Sequence, residues 1–434
     1  MCRTAVAAVS FLIVLCCVGL CPAGEFYNEP PINYSTAPTD DPISRLQRRL
    51  DNGSTELAWN EGLGYLKALL HELKIPASSQ TLVFSKTSAQ RHKIWPSAPR
   101  ALYFNDDVYI GYVKDSEVLE ISSVDPRLGA IFYILLPNPG KKPRFERQTH
   151  SCLQCHDSTG LTLGVPGHMV RSVYPDSDGM PMLNLGTFRT NFQSPLKERW
   201  GGWYVTGQHG KERHLGNLVF PGEPDLKVLM EVGANRNDLS EFFDASSYLT
   251  NSSDIAALMV LEYQAYTHNL ITRASYETRI AYLQNKEINK ALERPADYVS
   301  ESTQIRLKAV CDPVLNALLF KDEARFSDSI KGNTTFAADF ASRGPRDSKG
   351  RSLRELDLEH RMFKYPCSYL IYSESFDALP TEARDYILQR LWQVLNGQDT
   401  SKAFDYITPA ERDAIREILI ETKPSLPDYW RAKQ

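Results

Sequence analysis

Cys152, Cys155 and His156 stand in the order Cys-Leu-Gln-Cys-His, and this spacing carries the clearest chemistry in the chain. Two thiols three positions apart can form thioether bonds to the two vinyl groups of one porphyrin. The histidine after the second thiol then lies beneath the iron and ligates it as a neutral imidazole. Two other readings are open to the same residues. A CxxC redox pair calls for a βαβ setting, which the flanking sequence does not offer. A zinc site calls for a second Cys/His pair nearby, whereas the next histidine, His168, has no cysteine close to it. One covalently attached haem c is therefore the expected cofactor, bound by Cys152, Cys155 and His156, with His156 as the proximal iron ligand.

The second axial ligand has several candidates. Of the 9 histidines, His168, His209, His214 and His268 compete with Met169, Met180 and Met182. His209 and His214 lie in Gly207-Gln-His-Gly-Lys-Glu-Arg-His-Leu-Gly216, a loop after an aromatic strand. Loops carried on rigid strands are where ligands are usually presented, so these two come first. His268 is the runner-up, although a histidine on the apolar stripe of a long helix is more often a satisfied core residue. If the sixth position is open, His168 and Arg171 become an acid/base and charge-stabilising pair. Arg199, Trp200, Trp203 and Tyr204 have the character of a haem wall, and equally that of a half-buried strand. Lys141, Lys142, Arg144 and Arg147 precede the motif; they can steer an acidic partner or bind propionates, though such a cluster is usually a solvated loop.

Haem attachment of this kind belongs to exported proteins, and the N-terminus matches that. Met1 to Arg3 is weakly positive, Ala5 to Leu20 is apolar but for Ser10 and Gly19, and small residues follow at Ala23 and Gly24. Residues 1–24 read as a signal peptide, with an uncleaved anchor as the alternative. Cys21 invites a lipoprotein reading, but Leu20 occupies the position where a small residue belongs. No later segment is long and apolar enough to span a bilayer, so membrane anchoring is expected only through the N-terminus. The expected location is the periplasm or bacterial envelope. Of 8 cysteines, Cys2, Cys16, Cys17 and Cys21 fall in or beside this segment. Cys311 and Cys367 remain, as one disulfide or as two separate buried thiols.

A hydrophobic content of 42% with 10% aromatics is that of a globular chain able to bury a core. The net charge of −4 and the lack of a long basic tract argue against a nucleic-acid partner. Residues 25–60 read as an extended lead-in, and Gly62 to Lys74 as a short amphipathic helix. Residues 101–104, 108–113, 118–121 and 130–136 are β-branched and aromatic runs separated by turn residues, which suits an antiparallel meander. The haem motif follows in a Gly-, Pro- and Asp-rich stretch and is expected largely in loop; 200–205 and 215–220 are further strand candidates. Beyond residue 225 the pattern turns helical, with 255–283 the strongest helix and others at 303–320, 381–396 and 408–421. Residues 322–352 are polar and Gly-rich, with Arg343-Gly-Pro-Arg-Asp-Ser-Lys-Gly350 as the expected loop. The fold class is α+β: a β-rich haem-binding region over 61–225 and a helical region over 226–434.

Several longer motifs accompany Ser151-Cys-Leu-Gln-Cys-His156: Pro99-Arg-Ala-Leu-Tyr-Phe-Asn-Asp-Asp-Val108, Gly164-Val-Pro-Gly167, Arg199-Trp-Gly-Gly-Trp-Tyr-Val-Thr-Gly207 and Tyr365-Pro-Cys-Ser-Tyr-Leu-Ile-Tyr-Ser373. Through them most of the chain after the signal resembles a family of exported bacterial proteins with a single haem-binding motif, the cytochrome c domain-containing proteins without an assigned reaction. The resemblance implies a haem protein of the bacterial envelope and names no substrate. The chain departs from a small helical cytochrome c domain, whose CxxCH lies near its start, because here the motif follows a run of strands. Electron transfer with a periplasmic redox partner is the expected function. The alternatives are a peroxidase-like haem oxidoreductase with an open distal site, and a non-redox binding or sensor protein with a structural haem.

Overall fold

Alternating side chains along the strands of residues 81–148 bury both faces of one antiparallel sheet, and helices cover it. The structure is a computed structural model that describes residues 26–431 apart from 117, 137–141 and 221–225. The expected signal segment and Lys141 lie outside the described residues.

Two helices, α1 (Pro42–Asp51) and α2 (Leu66–Glu72), precede the sheet. Its strands are β1 (Thr81–Val83), β2 (Arg100–Phe104), β3 (Val108–Tyr112), β4 (Leu119–Asp125), β5 (Gly129–Leu135) and β6 (Phe145–Gln148). Two helical turns follow, α3 (Leu153–His156) and α4 (Thr159–Thr162), then a hairpin of β7 (Val170–Val173) with β8 (Thr187–Thr190), and β9 (Trp203–Tyr204). The 7-stranded sheet runs β6-β5-β4-β3-β2-β1-β9, so the meander expected from the turn residues is completed by a strand from beyond the haem motif. The second half holds α5 (Leu226–Gly233), α6 (Ile255–Ala291), α7 (Glu301–Leu318), α8 (Phe336–Ser342), α9 (Glu374–Asp377), α10 (Thr381–Leu395) and α11 (Pro409–Thr422). The fold is α+β, with the sheet in the N-terminal half and mainly helices in the C-terminal half.

Register assigns the two faces of the sheet. Leu82, Tyr103, Ile110 and Ile121 point to one side, where α1 and α2 pack with Leu46, Leu66 and Leu69. Val83, Phe104, Tyr109 and Val124 point to the other, against the core built around α6. From Ile255 to Leu261 every residue of α6 is buried, which is the pattern of a helix enclosed on all sides. Its first turn is held by Asp254, whose carboxylate accepts from the Ala256 and Ala257 amides and also from the Thr334 amide and hydroxyl. Asp254→Ala is expected to cost about 2 kcal/mol, the upper end for a lost cap because the Thr334 contacts go with it, read as a lower urea midpoint with an unchanged slope.

Several expectations need correction. The lead-in contains α1, and the signal for it was present: Asp41 caps the helix and Pro42 occupies its first turn. Residues 215–220 are not a strand. Asn217 has φ +66, which breaks an extended backbone, and Leu215, Leu218 and Phe220 form a small cluster of their own. The expected loop at 343–350 holds no helix or strand, and α8, whose Phe336 and Phe340 are buried, ends just before it. Of the two alternatives left for Cys311 and Cys367, the structure has the separate buried thiols: both are free, and burial pushes each up to about 12.

Candidate functional site

One turn of helix brings the three motif residues onto one side. In α3 the amides of Cys155 and His156 both bond to the Cys152 carbonyl, so residues i, i+3 and i+4 share a face. Leu153, between the thiols, is buried in the core beneath the sheet and anchors the turn. At the far end Asp157 accepts the Tyr27 hydroxyl at 2.6 Å. Cys155 is exposed and Cys152 partly buried, and burial raises the Cys152 thiol above its ordinary value.

Cys152, Cys155 and His156 border a cavity of about 680 Å³, a size that accommodates a cofactor. One wall is the sheet face carrying Leu102, Tyr109, Gly111, Ser122, Phe132 and Trp203. Leu261 and Ala265 of α6 and Val170 of β7 close another side, and Met180 and Leu183 lie at the exposed rim. Four cations line it, Lys86, Arg91, Arg100 and Arg171, against Glu120. Arg100 and Glu120 form an ion pair at 2.7 Å on the floor. Gly111 makes that pair possible, since a Cβ there would lie 2.3 Å from the Arg100 guanidinium.

His156 is oriented by its own backbone environment. Its Nδ1 lies 2.9 Å from the Gly167 carbonyl oxygen. A carbonyl only accepts, so Nδ1 carries the proton and Nε2 keeps its lone pair. Burial lowers the imidazole below its ordinary value, which favours the neutral form a metal ligand needs. The ring packs on Phe132 at 4.7 Å between centroids. A porphyrin fits this donor set: two thiols one helical turn apart, a neutral imidazole with its outer nitrogen free, apolar walls, and cations to face carboxylates.

The other singled-out residues are placed differently. His209 and His214 are not among the described residues lining the cavity. Both ring nitrogens of His209 are engaged, Nδ1 with the Glu212 carbonyl and Nε2 with the Asn235 amide, each at 2.9 Å. His214 Nδ1 accepts the Gly216 amide, and its ring packs beside Trp200 and His209. The expectation that loop 209–214 presents the second ligand therefore does not match its placement: the loop folds back to satisfy its own backbone. His268 does not line the cavity either; its Nε2 donates to the Asp106 carbonyl at 2.8 Å. His168, Met169 and Met180 do line it, while Met182 packs against the small cluster around Phe220. His168 is only 7% exposed, its Nε2 lies 2.7 Å from the Ser122 hydroxyl, and its buried Nδ1 has no hydrogen-bond partner. Burial holds this ring well below the ordinary histidine range.

Of the proposed haem wall only Trp203 reaches the cavity, where its indole donates to the Arg171 carbonyl. Trp200 is fully buried, Tyr204 packs in the core on the opposite sheet face, and Arg199 is paired with Glu262. Arg147, read as a steering or propionate charge, instead bonds to the Ala37 and Tyr34 carbonyls and pins the lead-in. Lys142 and Arg144 are exposed and lie off the cavity lining.

Comparisons were made with protein-family models, with curated proteins and with solved structures. No match was found in any of them. Among the described residues no helix is long and apolar enough to cross a membrane.

Proposed function

We propose that the chain attaches one haem c through Cys152 and Cys155, with His156 as proximal iron ligand, and that it carries single electrons in the bacterial envelope for a soluble redox partner. The observation that carries this reading is the convergence of both thiols and the free Nε2 of His156 on one cavity of about 680 Å³. When bound, the group supplies a ferric/ferrous couple. The protein's residues hold it by thioether bonds, direct the imidazole through the Gly167 carbonyl, exclude water with Leu102, Phe132, Val170 and Leu261, and offer Lys86, Arg91 and Arg171 to its carboxylates. Among the candidate ligands singled out in the sequence, His168, Met169 and Met180 line the cavity and could supply a further donor to the iron were the group bound.

A second reading, a haem oxidoreductase acting on a small oxidant such as peroxide, is favoured by one observation. His168 and Arg171 border the same cavity, and His168 has an unengaged ring nitrogen. The two readings separate on one measurement. An electron carrier with a filled ligand set binds carbon monoxide slowly in the ferrous state, does not turn over peroxide, and exchanges electrons with an acidic soluble partner at a rate that falls with added salt. Rapid carbon monoxide binding with peroxide-dependent dye oxidation, lost in His168→Ala, would establish the enzyme instead.

A further inference from the structure

We propose that Asn269 of α6 is a positioning residue for His156, acting through the backbone of Gly167 and His168. This inference rests on the reading of His156 as the iron ligand. Gly167 holds His156 twice: its amide donates to the His156 carbonyl at 2.9 Å, and its own carbonyl accepts His156 Nδ1–H at 2.9 Å. The next residue is held twice by Asn269. The Asn269 Oδ1 accepts the His168 amide at 2.9 Å, and its Nδ2 donates to the His168 carbonyl at 2.6 Å. Asn269 is 2% exposed, so no water competes for either bond. Four hydrogen bonds therefore connect a helix in the C-terminal half to the imidazole, with one peptide unit between the two pairs.

Asn269 packs directly against the backbone of Gly167. A Cβ on Gly167 would lie 2.3 Å from Asn269 Oδ1 and 2.8 Å from its Cγ. Glycine at 167 is thus the condition for the amide to approach. The His168 amide that Asn269 holds and the Gly167 carbonyl that holds His156 belong to the same planar peptide unit, so fixing the direction of one fixes that of the other. The second bond, to the His168 carbonyl, steadies the peptide that follows. The Gly167 carbonyl in turn fixes the tautomer and orientation of the ring and raises the basicity of Nε2. The neighbouring His268, turned away to Asp106, has no part in this.

The test uses histidine-labelled protein from a host competent in cytochrome c maturation. Nitrogen-detected NMR should show His156 in the Nδ1–H form, with slow exchange of that proton. In Asn269→Ala the exchange should speed up by about tenfold, the factor that corresponds to about 1.4 kcal/mol of lost hydrogen bonding. The ferric/ferrous equilibrium against a redox dye should move toward ferrous, because a less basic imidazole favours the ferric ion less. Gly167→Ala, which collides with Asn269, should move both readouts the same way, and the double variant should exceed neither single one by much. Asn269→Asp keeps the acceptor and loses the donor, and it gives the same reading if the alanine variant does not fold. Asn289→Ala removes another buried amide of α6, bonded to the Tyr298 carbonyl, and should leave both readouts unchanged. Unchanged exchange in a folded Asn269 variant, or equal acceleration in Asn289→Ala, overturns the proposal. A colourless wild type whose proton is protected and then released by Asn269→Ala keeps the clamp and overturns the haem reading.

Discussion

Replacing Cys152 and Cys155 together by alanine is expected to remove all covalent haem, so that a denaturing gel stained for haem shows no band where the wild type shows one. Among the described residues the two thiols are the only cysteines on the cavity wall, and Cys311 and Cys367 are buried in the helical core. Each single variant keeps one thioether and should retain colour with a shifted absorption band, since one vinyl group stays conjugated with the ring. Cys155 is the more exposed of the pair, and Cys152 is the one whose thiol burial raises. The fold should survive the double change, because neither thiol donates a hydrogen bond to the core. A stained band persisting in the double variant, or a colourless wild type from a competent host, would remove the basis of the functional reading.

The sheet and the long helices were legible in the sequence because their signals are local. The β-branched runs at 101–104, 108–113 and 130–136 each match a strand to within a residue or two, and the predicted helix at 381–396 matches α10. The Cys152, Cys155 and His156 grouping is equally local, although the loop expected to carry it is the helical turn α3. What escaped was everything that depends on which distant segments meet. His209 and His214 look like ligands in a polar glycine-rich loop, but the loop's own backbone and the Asn235 amide consume the ring nitrogens of His209 and one of His214. Arg199 looks like a propionate partner until α6 places Glu262 against it. Asn269 gave no signal at all, because an asparagine inside a helix is unremarkable until a peptide bond lies across from it. The only hint was the glycine of Gly164-Val-Pro-Gly167, whose missing Cβ makes sense only beside the Asn269 amide. Leu261, Ala265 and the Arg100–Glu120 pair were invisible for a similar reason: they join the cavity from strands and helices far apart in the chain.

The buried pair Arg199–Glu262 should be the costliest single site to break, and the cost should depend on pH in a defined direction. Arg199 is 2% and Glu262 0% exposed on their side chains, with Nη1 and Oε2 at 3.1 Å. The guanidinium also donates to the Ser194 and Phe192 carbonyls, tying the segment before β9 to α6. Burial pushes the Glu262 carboxyl up to about 7, and Arg199 pulls it down against that. A group whose folded value is raised binds its proton more tightly when folded. Its contribution to stability is complete below its ordinary value near 4.5 and is lost as pH rises through about 7. Arg199→Leu removes the opposing pull, so the folded carboxyl titrates higher still. The variant should lose about 3–5 kcal/mol at pH 8, the range for a buried charge stripped of its partner, and distinctly less at pH 5, where the carboxyl is protonated in the folded variant. The deficit remaining at pH 5 reports the two orphaned carbonyls, which do not titrate. Urea unfolding of both proteins at the two pH values measures the difference. A deficit equal at pH 5 and pH 8 would mean that Glu262 reaches water or another cation once Arg199 is gone, and that the pair is held by its hydrogen bonds and not by its charges.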